Sequence, residues 1–383
     1  MKQPAIKIYF VIALTVLANF YCIAQDNHEE NKQQHFSLTG SYGYGTVLPT
    51  TPFVQGDNLQ GRPIDDYQFY SLKAIWQNPG YTHWQQVYHV PYYGFGISYG
   101  NFFNREEVGN PVSGYGIYGI PILRWKALST YSEFQFGMAT NWRKYDPVRN
   151  PKNHVIGGSF TVHLDLALKA YLALGKNFET GTGISFIHFS NGGFERPNRG
   201  FNIYSPTVEL RYRFKQRPDY RAMEKAKHST RTNDLLILAN YGDYQLVEHE
   251  TDSNYFAFAG LSFIYYTQLT EAFRLGSGTD INYWWGLNAN PDGTYAGYSY
   301  DNITLGLILQ PELIINKLSL VAGIGIYARH RNYGNFKQLY QRLGIRYEVF
   351  KNTTVGVNVR AVNFMLAECL EFNFGYKLSW PKM

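Results

Sequence analysis

Sixteen segments of this chain alternate apolar and polar residues with a period of two, the pattern of strands whose two faces meet different surroundings. The first eight fall at 36–46, 65–76, 83–97, 113–123, 131–140, 157–172, 178–190 and 202–214. Eight more follow at 234–244, 255–267, 272–286, 302–314, 317–329, 337–348, 354–364 and 369–380. So regular a succession of strands points to an all-β architecture.

Loop lengths choose among such architectures. In the first half the connections 47–64, 98–112, 141–156 and 191–201 are long, whereas QNPGYTH, RWKALST and GKNFE are short. A transmembrane barrel with short inner turns and long outer loops has this rhythm, and a soluble sandwich has no reason for it. Composition agrees, with 33 Tyr, 26 Phe, 7 Trp and 36 Gly at a mean hydropathy of only −0.32. After residue 24 no run reaches the roughly 18 consecutive apolar residues of a membrane-spanning helix. Strands that alternate lipid-facing with lumen-facing side chains hide their hydrophobicity in such an average. The sequence therefore predicts a transmembrane antiparallel β-barrel of about 16 strands, with one closed ring as the best fit. Two eight-strand rings, or one ring with a plug, stay open.

The termini and the middle fit an exported chain. Lys2 and Lys7 flank the start of the apolar stretch 8–18, and Cys22-Ile23-Ala24 supplies a cleavage site, so residues 1–24 read as a secretory signal peptide. The bulky Asn19-Phe20-Tyr21 argues against a lipoprotein anchor at Cys22. Cleavage leaves Cys369 as the lone cysteine and excludes an intramolecular disulfide. The last segment sets Leu370, Phe372, Phe374, Tyr376 and Leu378 against Glu371, Asn373 and Lys377, and it ends on the aromatic Trp380. Final strands of bacterial outer-membrane barrels commonly end this way, which makes this strand the expected handle for the barrel-assembly machinery. The expected organisation is an eight-strand half at 25–214, a basic periplasmic linker at 215–233, and a second half at 234–383 that completes the barrel. LGKNFETG (174–181) and VFKNTTVG (349–356) suggest a duplicated unit. In that alignment His188 meets Asn363, and Ser190 meets Met365. A net charge of +6 is too mild and dispersed to argue for nucleic acid.

The stretch SFIHFSNGGFERPNRGFN (185–202) carries the candidate chemistry. His188 and Ser190, two apart on a strand, share one face. That face also holds Ile184 and Phe186, and on the returning strand Tyr204, Val208 and Leu210, so it is the lipid-facing one. Ser205, Thr207, Glu209 and Arg211 line the lumen. Polar residues near a strand end commonly meet only water or headgroups. A serine becomes a nucleophile only with a base in reach and an orienter behind that base. A turn centred on 196 would set 190 opposite 202 and 188 opposite 204, close enough for Asn202 to orient His188.

At HFSNGGFERPNRGFN the sequence resembles the PagL-type lipid A deacylases, a family of acyloxyacyl hydrolase-like outer-membrane proteins. His188, Phe189, Ser190, Asn191, Gly192, Gly193, Asn198 and Gly200 match its motif in order. The resemblance implies a cofactor-free carboxylic ester hydrolase of the outer membrane, with the lipid A of lipopolysaccharide as its substrate. Ser190 would attack an ester-linked acyl chain, His188 would take its proton, and the backbone N–H groups of Asn191, Gly192 and Gly193 would hold the oxyanion. The departure is at position 202, where the family's Glu is Asn. An amide carbonyl can orient the imidazole but cannot stabilise imidazolium by charge. Glu195 is the alternative third member, and parity puts Glu209 on the wrong face.

Other candidates are weaker. His163 and Asp165 share a strand face without a third ligand, so no metal is expected, and His83, His89 and His154 read as rim or loop residues. Arg143, Lys144, Arg149, Lys152, Arg196 and Arg199 fall in outer loops, where solvation is the plain reading and anionic lipopolysaccharide would suit them. The rival function is a non-enzymatic channel or scaffold with a relic site, because sixteen strands could enclose a water-filled lumen.

Overall fold

The computed structural model describes residues 34–193, 195–217, 231–245, 255–289, 296–329, 339–364 and 366–382. The expected signal peptide and most of the expected linker lie outside the described residues. Eight strands form the first half: β1 (Phe36–Val47), β2 (Asp66–Trp76), β3 (Tyr92–Asn101), β4 (Gly109–Trp125), β5 (Leu128–Trp142), β6 (Thr161–Leu174), β7 (Phe178–Ser190) and β8 (Phe201–Arg213). The second half holds β9 (Thr232–Gln245), β10 (Tyr255–Gln268), β11 (Phe273–Trp284), β12 (Ile303–Ile315), β13 (Leu318–Arg329), β14 (Leu339–Phe350), β15 (Thr353–Val362) and β16 (Leu366–Pro381). Every recorded pairing is antiparallel, and all sixteen expected strands are present.

Closure departs from the best-fit expectation. The strands form two closed eight-strand barrels, and the chain divides into two compact units, each holding one barrel, with residues 154–158 and 190–199 grouped with the second. β8 returns to β1, with Ser37 opposite Arg213 and Val47 opposite Ile203. β16 returns to β9, with Cys369 opposite Tyr244 and Pro381 opposite Thr232. A single sixteen-strand ring and two eight-strand rings have the same period-two pattern and the same loop rhythm. What separates them is whether the inward polar residues face water or one another, because an eight-strand ring is just wide enough for side chains to fill.

Here they face one another. In the first ring Lys73 Nζ lies 3.0 Å from Glu133 and 2.9 Å from Glu209, and Lys169 Nζ reaches Glu209 at 3.1 Å. The Tyr92 and Tyr171 hydroxyls donate to Glu133 and Glu209, each at 2.5 Å. In the second ring Arg342 bridges Asp280 at 3.1 Å and Glu371 at 2.8 Å, while Arg274 and Arg346 meet on Glu312. These charges are buried in the ring interiors. Outward faces are apolar, with Ile97, Leu168, Ile184 and Val208 exposed in the first ring and Leu309, Leu343 and Phe374 in the second. That much exposed hydrocarbon marks a lipid-contacting surface.

Buried ion pairs stabilise less than their short distances suggest, but removing one partner strands the other charges in a dry interior. Lys73→Met leaves Glu133 and Glu209 without their shared cation. The expected loss is about 3–5 kcal/mol, read as a lower urea midpoint for unfolding in detergent. An unchanged midpoint would mean that water reaches this network.

One local expectation is corrected. Segment 83–97 is not one strand: residues 83–87 form a short helix, α1 (His83–Val87), and β3 starts at Tyr92. Gln85 Oε1 accepts from the Thr82 N–H at 3.3 Å, a helix-start contact that outweighs the local alternation. The connection expected to be short is therefore 77–91. The outer loops of the first ring are joined by buried polar contacts. The buried Glu107 carboxylate accepts from the Leu59 N–H at 2.7 Å and from Asn104 Nδ2 at 3.0 Å. Its carbonyl accepts from Asn150 and Asn153, both at 2.9 Å, so one residue ties three loops together.

Candidate active site

Alternation along β7 and β8 decides what each residue meets. Glu179, Ser185, Ile187 and Phe189 are buried inside the ring, and Phe178, Ile184, Tyr204 and Val208 are exposed outside it. His188 and Asn202 belong to the outward set at the long-loop end. The pairing places His188 directly opposite Asn202 and Phe189 opposite Phe201, so the turn is centred on 195 and not on 196. The expected pairing of 188 with 204 is thus off by two residues, and the actual one brings Asn202 closer. Parity survives such a shift of two, which is why the face assignment held when the register did not.

His188 Nδ1 and Asn202 Oδ1 are 2.7 Å apart. A carbonyl oxygen only accepts, so Nδ1 carries the proton and Nε2 is the basic nitrogen. Ser190 ends β7 two residues beyond His188 and is buried. The hairpin thus brings a hydroxyl, an imidazole and a side-chain amide together, the residue types that a Ser-His site with a polar orienter is built from.

The connection 191–200 is organised by asparagines. The Asn191 N–H donates to Asn198 Oδ1 at 2.8 Å, and the Gly193 N–H donates to Asn191 Oδ1 at 3.0 Å. Asn191 Nδ2 donates to the Glu195 carbonyl at 2.5 Å. Gly192 and Gly193 have φ of 68° and 85°, the left-handed region where a side chain would be strained, which explains this pair of glycines. Of the three N–H groups expected at an oxyanion, those of Asn191 and Gly193 are committed inside the loop. The Gly192 N–H takes part in neither bond. Sequence reasoning matched Asn198 to a motif without reading this role, and no pattern in the sequence encodes it.

Of the remaining candidates, those on strands face into the ring. Glu195 lies in the loop, where its backbone serves Asn191. Glu209 is inside the ring with Lys73, Lys169 and Tyr171. His163 is also inside, stacked on Tyr115 at 4.8 Å, while Asp165 accepts from Ser185 Oγ at 3.1 Å. Among the described residues no group of three or more His, Cys, Asp or Glu is arranged to hold a metal. Of the outer-loop cations, Lys152 pairs with Asp57 at 2.7 Å and Arg196 is buried rather than solvated.

Closed antiparallel rings with charged interiors, apolar exteriors and long outer loops define an outer-membrane β-barrel protein. The chain belongs to the PagL family: the model of the lipid A 3-O-deacylase (PagL) matches residues 70–214, and that of the acyloxyacyl hydrolase C-terminal domain matches residues 233–380. The second match spans nearly the whole of the second ring. Among solved structures, an outer-membrane channel from Pseudomonas putida F1 is 10% identical over 93% of this chain and 99% of its own, with a TM-score of 0.20. The Acinetobacter baumannii outer membrane protein Omp33 is 8% identical over 91% of this chain and 100% of its own, with a TM-score of 0.18. No curated protein matched the chain.

Proposed function

We propose that this outer-membrane protein is a serine esterase that hydrolyses an ester-linked acyl chain of lipid A. Ser190 is the nucleophile, His188 the general base and Asn202 the residue that orients it. The Ser190 oxygen adds to the ester carbonyl as His188 Nε2 takes its proton. Collapse of the tetrahedral intermediate expels the sugar oxygen, which receives that proton from His188. Water, deprotonated by the same imidazole, then frees the fatty acid and restores Ser190. Gly192 supplies a backbone N–H for the oxyanion. No step calls for a cofactor.

The observation that carries this reading is the 2.7 Å contact between His188 and Asn202 on the outward face. It fixes the tautomer a base needs, at a place where the substrate is a membrane lipid. The matching family supports the substrate class. A channel is disfavoured by ring interiors filled with paired charges, although a scaffold role would leave them equally filled.

Asn202 supplies the test. Asn202→Ala releases the imidazole from its tautomer and should cut fatty-acid release from lipopolysaccharide by up to about 10⁴-fold. Asn202→Glu should preserve or raise the rate, because a carboxylate supports both tautomer and developing charge. Glu195→Ala should change little. Initial rates in detergent for the parent and three variants decide it. Parent-like activity in Asn202→Ala would make this residue a mere turn asparagine, and a reversed order of the two alanine variants would make Glu195 the third member.

A further inference from the structure

Each ring is stopped at its long-loop end by an aromatic plug, and only the first plug is built from the hairpin that carries the candidate site. Phe189 and Phe201, opposite each other across β7 and β8, are both fully buried. Phe189 is the inward residue between His188 and Ser190, and Phe201 directly precedes Asn202. Trp142, the last residue of β5, touches both: its ring lies 5.2 Å from Phe189, edge on, and 6.0 Å from Phe201, nearly parallel at 14°. Phe102 packs against Phe201 with centroids 4.4 Å apart and the rings tilted by 32°. Trp142 is itself held, because its indole N–H donates to Thr161 Oγ1 at 3.1 Å.

The second ring repeats the device without the site. Trp284 Nε1 donates to Thr304 Oγ1, also at 3.1 Å, and its ring stacks on Phe258 at 4.4 Å and meets Tyr244 at 4.9 Å. These aromatic rings come from β9, β10 and β11, and not from the β15–β16 hairpin.

Side chains alternate across a strand, so the rotation of β7 at Phe189 sets where His188 and Ser190 point on the other face. The rotation of β8 at Phe201 does the same for Asn202. We propose that Trp142 is a positioning residue: by clamping Phe189 and Phe201 from inside the ring, it fixes the spacing of Ser190, His188 and Asn202 outside it. This inference rests on the proposed esterase reading. Trp142 lies inside the ring and the site faces outward, so its role is exerted through the two phenylalanines. A misplacement of about 1 Å suffices to cost about 10²-fold in rate.

The experiment uses the full purified chain in detergent, with initial rates over a range of lipopolysaccharide and heat-modifiability on gels to give the folded fraction. Trp142→Ala should lower kcat per folded chain by about 10²-fold while KM changes by less than about twofold. Trp142→Phe, which keeps a ring between the two phenylalanines, should recover most of that loss. Trp284→Ala removes the same device from the ring without the site and should leave kcat unchanged. Phe102→Leu, a milder change that removes the ring contact with Phe201 and keeps bulk, should lower kcat by roughly tenfold, and it decides the matter should Trp142→Ala not fold. Equal losses in Trp142→Ala and Trp284→Ala, or parent kcat in Trp142→Ala or Phe102→Leu, would overturn the positioning role. If Ser190→Ala retains the parent's rate, the esterase reading fails and this inference with it. If release depends on Ser190 and yet ignores Trp142, only this inference fails.

Discussion

Ser190→Ala should abolish fatty-acid release from lipopolysaccharide, with kcat expected to fall by roughly 10⁴ to 10⁶, and His188→Ala should do the same. The two losses should not add in the double variant, because under the proposed mechanism a nucleophile without its base and a base without its nucleophile are equally idle. Neither change should disturb the fold. His188 lies on the outward face near the end of β7, and Ser190, buried at its end, is small and outside the interior ion pairs, so truncation to alanine removes little packed volume. Heat-modifiability on gels should match the parent while lipid A from cells carrying either variant keeps its full set of acyl chains in mass spectra. Deacylation by Ser190→Ala at the parent's rate would remove Ser190 from the mechanism.

Truncation after Glu371 should prevent accumulation in the outer membrane. It removes most of β16, and with it the pairings from Phe372 opposite Tyr241 to Pro381 opposite Thr232 that close the second ring. It also removes the partners of β15 from Val357 to Thr353. Two strands would then present unpaired N–H and C=O groups to hydrocarbon, where no water can satisfy them. The first ring closes through β1 and β8 and keeps its own ladder intact. The truncated chain should be degraded or remain periplasmic, as fractionation and immunoblotting would show. Normal insertion would mean that the last strand is dispensable both for closure and for assembly.

Strand positions were legible in the sequence because alternation is a local property: residues 178–190 can be read as β7 from their own side chains. The face that His188 occupies was legible for the same reason. Ring closure was not, because it depends on whether β8 pairs with β1 or β9, and both options satisfy the same outward apolar pattern. The His188–Asn202 register was missed by two residues, since it depends on how the asparagines and glycines of 191–200 fold the connection. Residues 83–87 read as strand although Trp84, Val87 and Tyr88 have the i, i+3, i+4 spacing of a helical turn, and the helix-start contact at Thr82 involves only one glutamine side chain. The role of Trp142 was out of reach, as it lies 47 positions from Phe189 in the chain and meets it only once the ring has closed.

The outward placement of His188 and Asn202 bears on what substrate concentration means for this protein. A site on the outside wall of a filled ring is met sideways, by molecules travelling in the plane of the leaflet, rather than from solution above it. The quantity that sets occupancy is then a surface mole fraction. Adding inert detergent to a fixed amount of lipopolysaccharide dilutes the substrate in two dimensions even though its bulk concentration is unchanged. For the proposed lipid A esterase, encounter in the cell would then be governed by lateral mobility in the leaflet that holds its substrate rather than by diffusion through solution.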